Sequence, residues 1–76
     1  MITTEKIMVE VFATNVDTGI AAQRLINLLR LRFPGSRVDV DLDDCDRVLR
    51  IQGEQLCPAQ ITQLVQAQGF YCGELE

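Results

Sequence analysis

The chain contains no histidine and no tryptophan, and aromatic residues make up only 5% of its 76 positions. Without histidine, the Ser-His, Cys-His and His-zinc arrangements cannot be assembled within the chain, and most enzyme classes fall with them. Basic side chains are scarce: 7 stand against 11 acidic ones, a net charge of −4. Phosphate backbones and anionic bilayers are held through Lys and Arg, so this deficit argues against nucleic acid and membrane surfaces as partners. No apolar run approaches the ~18 residues of a membrane span. The stretch from Met1 to Lys6 has no basic segment followed by an apolar one, so no secretory signal is read there and the expected compartment is the cytoplasm. The three cysteines, Cys45, Cys57 and Cys72, match neither CxxC nor zinc spacing. An odd count does not close a disulfide framework, so free thiols are expected.

What is present suits one small domain, residues 1–76. The hydrophobic share of 47% is enough for a single core. Ile7, Val9, Val11 and Ala13 alternate with Met8, Glu10 and Phe12, which predicts a strand over 6–13 with one apolar and one mixed face. Thr14 to Gly19 is rich in capping residues. Thr14 with Asp17 could form a capping box, or Asn15 or Asp17 could cap alone. Ala21, Ala22, Leu25, Ile26, Leu28, Leu29 and Phe33 then share one helical stripe, with Leu31 a misfit, and Pro34-Gly35 ends the helix.

Val38, Val40 and Leu42 alternate with Arg37, Asp39, Asp41 and Asp43, and a second run from Arg47 to Gln52 carries Leu49 and Ile51. One hairpin register satisfies both runs: Val40 opposite Leu49, Val38 opposite Ile51, Asp39 opposite Arg50 and Asp41 opposite Val48. Its turn is either Asp44-Cys45 or a wider loop on the same axis. Pro58 suits the first turn of a second helix with Ile61, Leu64 and Val65 inside and Gly69 at its end. Phe70 to Leu75 predicts a last strand.

The order β-α-β-β-α-β is that of an α+β, ferredoxin-like sandwich. Its expected sheet is antiparallel, in order 4-1-3-2, with both helices on one face and apolar strand positions beneath them. That connectivity carries Thr14–Gly19, Asp43–Asp46 and Gly69–Tyr71 to one end of the domain, and Cys57 to the other.

On Val9-Glu10-Val11, Val38-Asp39-Val40-Asp41-Leu42, Val48-Leu49-Arg50-Ile51 and Ala67-Gln68-Gly69-Phe70, nearly the whole chain resembles the heavy-metal-associated domain. That domain is the module of copper chaperones and of the cytosolic extensions of metal-pumping ATPases. The resemblance implies the same fold and a metal-handling loop after the first strand, where the family carries G-M-x-C-x-x-C. Here Val16 and Gly19 occupy the two cysteine positions. Neither side chain binds a soft metal, so any metal function needs another ligand set.

The replacement candidates are Asp43, Asp44, Cys45 and Asp46 at the hairpin tip, with Asp17 and Asn15 expected nearby. Gathered carboxylates suit a hard cation, and the thiolate of Cys45 adds a ligand for a softer one. A solvated turn explains the same residues without a ligand. A Cys45–Cys72 disulfide is not expected, because two strand spacings of about 4.8 Å exceed the ~7 Å reach of a disulfide. Cys72 reads as strand packing. Cys57 stands at a helix start but has no base or oxyanion partner, so no enzyme is expected. Tyr71 reads as packing near the rim or as a ligand contact. Two functions follow: a binding module with a metal ion as its cofactor, or a protein-interaction or regulatory domain. In the second, the exposed edge strands would pair with a protein partner or with a second copy as a homodimer, and the Asp row would favour a basic partner.

Overall fold

The computed structural model describes residues 7–75. Its elements are β1 (Met8–Thr14), α1 (Gly19–Arg32), β2 (Arg37–Asp41), β3 (Val48–Gly53), α2 (Pro58–Ala67) and β4 (Cys72–Glu74). The four strands form one sheet in the order β2-β3-β1-β4, and every neighbouring pair is antiparallel. Ala22, Leu25 and Leu29 of α1 and Ile61 and Val65 of α2 share one core with Phe12, Leu49 and Ile51 of the sheet. Both helices therefore cover one face, and the chain is an α+β domain in which no element among the described residues covers the opposite sheet face.

The hairpin forms in the expected register, Val38 with Ile51, Asp39 with Arg50, Val40 with Leu49 and Asp41 with Val48. Val and Asp alternate so strictly on β2 that a one-residue slip would bury the aspartates, so only this pairing survives. The turn is the wider of the two alternatives, because the ladder stops at Asp41 and resumes at Val48.

β1 differs from the sequence expectation in its facing. Phe12 is wholly buried, whereas Ile7 and Val9, from the more uniformly apolar set, are 59% and 52% exposed. The cause lies in the neighbour. On β3 the apolar Leu49 and Ile51 share one parity, against Val48, Arg50 and Gln52 on the other, and they stand opposite Phe12 and Glu10. Directly paired residues share a face, so Phe12 and Glu10 turn towards the helices, and Val9 and Val11 turn out with Gln52 and Arg50. One phenyl ring also buries more surface than any other side chain on the strand. The strand runs one residue past the expected end, to Thr14, while Lys6, its expected first residue, lies outside the described residues.

The cap of α1 also differs. Thr18 serves as N-cap, its hydroxyl accepting from the Ala21 N–H at 3.1 Å, rather than Thr14, Asn15 or Asp17. At the far end the Phe33 N–H donates to the Leu29 carbonyl, and Gly35 takes a positive φ of 83° beyond Pro34. Leu31, the misfit of the helical stripe, is 78% exposed. α2 opens on Pro58 with Cys57 at the cap position and closes through Gly69, whose φ is 92°. The last strand is shorter than expected, only Cys72–Glu74.

Candidate functional site: the hairpin rim and the open face

The expected rim is assembled by backbone and short side chains. The Thr14 N–H donates to the Asp46 carbonyl at 2.9 Å, and its hydroxyl donates to the Arg47 carbonyl at 2.6 Å while accepting from the Val16 N–H. The Arg47 guanidinium reaches the Val16 carbonyl at 3.3 Å. The Asn15 side-chain oxygen accepts from the Tyr71 N–H at 2.8 Å. Three stretches remote in sequence thus meet at one end. Residues Thr14 and Asn15, read as a cap or a spare ligand, act as the fasteners of this rim. β3 leads away from it, so Cys57 begins α2 beyond the opposite end of the sheet.

At the hairpin tip, Asp44, Cys45 and Asp46 bring their ligand atoms within 4.8 Å of one another. Asp43 and Asp17 are exposed and stand outside that group. The loop has its own use for two carboxylates. Asp41 Oδ1 accepts from the Asp43 N–H at 3.0 Å, and Asp44 Oδ1 accepts from the Asp46 N–H at 2.8 Å. These are Asx turns, which bend the chain before it enters β3. Arg47 completes the bend with a φ of 45°, a left-handed conformation seldom adopted by a long side chain. Val16, at a cysteine position of the resembled family, is fully buried and serves as a core anchor for the loop after β1.

The cysteines are free: Cys45 exposed, Cys57 half-buried and Cys72 buried. Burial pushes the Cys72 thiol above its usual range; a hydrogen bond with the Thr62 side chain opposes this, and the charge of Glu74 adds to it. A group this hidden and this weakly ionised is packing, not a nucleophile.

The sheet face opposite the helices was expected from sequence to meet water and to carry Arg37, Asp39, Asp41 and Arg50, as it does, but not to act as a site. Its rows follow from the pairing. One row runs Asp39, Arg50, Val11 and Leu75, the last tied by its N–H to the Val11 carbonyl. The row on one side holds Arg37, Gln52 and Val9, and the row on the other holds Asp41 and Val48, with Ala13 beside Gly73. Tyr71, 59% exposed, lies over Gly73, where any Cβ would collide with its ring. The face is therefore divided. Its β1–β4 half is aliphatic and aromatic, and its β2–β3 half carries the Asp39–Arg50 pair, 3.8 Å apart, with Arg37 and Asp41 at either end. The signal was legible in principle: β1 carries apolar residues at both parities, so one set must remain outside.

No family model, no curated protein and no solved structure matches the chain. Among the described residues, no helix is long and apolar enough to cross a membrane.

Proposed function

We propose that the chain is a ferredoxin-like, heavy-metal-associated-like binding module that works in the cytoplasm by docking a protein on its open sheet face, without chemistry of its own. The element order supports the fold assignment, as does the strand order, which read from β4 is 4-1-3-2. Three free thiols suit a reducing compartment. The observation that carries the docking reading is the run of Val9, Val11 and Ala13 on β1 beside Gly73, Tyr71 and Leu75, on the face opposite the helices, with Val9, Tyr71 and Leu75 each more than a third exposed. Apolar residues scattered singly are ordinary, but a contiguous patch bordered by charge marks an interaction surface. The test is a photo-crosslinking residue placed in living cells at Tyr71, at Val9 or at Gln63, an exposed position on α2. Discrete adducts from the first two positions and none from the third are expected. Equal or absent adducts at all three would refute docking on this face.

A second reading places a cation at the hairpin rim, favoured by the close approach of Asp44, Cys45 and Asp46. Titration with copper(I), zinc and calcium tests it. Stoichiometric uptake lost in Cys45→Ser or Asp46→Asn would establish the rim as a metal site, and no specific uptake would leave it a solvated turn.

A further inference from the structure

The occupant of the open face follows from its charge pattern. The protein carries a net charge of −4, so two copies repel at most orientations. The strands of the open face are an exception: their outward charged residues are Arg37 and Arg50 against Asp39 and Asp41, a neutral set. The set is also ordered. Asp39 and Arg50 occupy the middle row and pair within the protomer, while Arg37 and Asp41 stand in the rows on either side of it, at opposite ends of β2. A two-fold axis lying across the strands along the middle row exchanges the two outer rows. It sets Arg37 against Asp41 of a second copy, and Asp41 against its Arg37. The same operation sets Val9 over the small Ala13–Gly73 pair, large against small, and Val11 over Val11. On the axis it also sets Asp39 over Asp39 and Arg50 over Arg50, like charges that the ion pair within each protomer offsets, so the reciprocal Arg37–Asp41 contacts are the attractive ones.

We infer that this chain forms a homodimer by packing its open sheet face on that of a second copy, apolar half on apolar half, with reciprocal Arg37–Asp41 pairs at the margin. The inference rests on the docking reading above and names its partner. Sheets packed face to face lie about 10 Å apart, a gap that aliphatic side chains fill and a long arginine spans. The homodimer expected from sequence ran instead through an edge strand. The β2 edge is a five-residue strand bearing Asp39 and Asp41, and β4 has three residues, so both are poor templates.

The experiment is sedimentation equilibrium with light scattering on the full chain, from micromolar to millimolar concentration. Wild-type protein should reach twice the monomer mass. Val9→Lys should weaken association at least about tenfold with an unchanged circular-dichroism spectrum, since a lysine there forces a charge into the apolar contact. Arg37→Gln and Asp41→Asn should each weaken the dimer severalfold. The double variant should be little worse than either alone, because each substitution by itself already removes both reciprocal pairs; Asn at 41 keeps an oxygen for the Asx turn. A monomer at every concentration, a dimer indifferent to Val9→Lys, or additive effects of the two charge variants would overturn the inference. A monomer in solution combined with adducts from Tyr71 to other proteins in cells would reject the homodimer and retain docking. A monomer without adducts would reject both.

Discussion

Phe12 and Val9 belong to one strand, three residues apart, yet the ring of one is sealed beneath two helices while the other is half in water. Both are apolar, and Val9 sits in the more uniformly apolar set. What separates them is the strand next door: β3 has one face that can be buried, and pairing forces β1 to follow it. The lesson is that a strand's facing belongs to the sheet. Counting apolar residues along one segment decides it only where the opposite parity is polar, as on β2.

The sharpest way to probe this contrast is to shorten both residues. Phe12→Ala should cost about 3–5 kcal/mol, because the ring leaves a cavity in the centre of the core. Val9→Ala should move the stability of the monomer by less than about 1 kcal/mol. Urea denaturation of each variant at low protein concentration measures the pair, and equal costs would break the assignment of faces.

Next in size is the rim. Thr14 lies on the buried parity with Phe12, and its hydroxyl is tied to the hairpin carbonyl of Arg47. Thr14→Val keeps the volume and removes that tie, leaving a part-buried carbonyl without its donor, at a cost of about 1–3 kcal/mol. A variant as stable as wild type would show the rim to be held by packing alone.

Cys72 offers a probe by pH. Its thiol is raised above the ordinary value of 9.0 by burial, so the folded state holds its proton longer than the unfolded chain. Stability is therefore at its full value below the unfolded thiol pKa and falls as pH rises through the higher folded one. Urea midpoints should decline above about pH 9, and the decline should be shallower in Cys72→Ala. The smallest effect belongs to the open face. Asp39 and Arg50 are both more than half exposed, so Asp39→Asn should change monomer stability by about 0.5 kcal/mol or less.

Much of the architecture was legible because two periodicities alternate cleanly along the chain. The hairpin register was readable to the residue, since Val38 and Val40 demand one face and Asp39 and Asp41 refuse it. The meeting of Thr14, Asp46 and Tyr71 at one rim was readable from strand connectivity alone. The cap of α1 was not: Thr14, Asn15, Asp17 and Thr18 are all competent N-caps, and only the course of the loop, with Val16 pulled into the core, selects Thr18. The charged half of the open face was legible, with Arg37, Asp39, Asp41 and Arg50 on it, but its apolar half was missed for a related reason. Ile7, Val9 and Val11 look like core residues when β1 is read by itself, and become surface only once Leu49 and Ile51 claim the other side. At the hairpin tip, of the expected Asp43, Asp44, Cys45, Asp46 and Asp17, only Asp44, Cys45 and Asp46 converge, and the loop employs Asp41 and Asp44 for its own turns.

The Asn15–Tyr71 hydrogen bond joins positions 56 residues apart, and the Thr14–Arg47 bond joins positions 33 apart. Closing loops of that length takes entropy that local helices and the β2–β3 hairpin never have to lose. The hairpin and α1 should accordingly form early, with the docking of β4 against β1 arriving last. In stopped-flow refolding, substitutions at Asn15 would then accelerate unfolding and leave the refolding rate nearly unchanged.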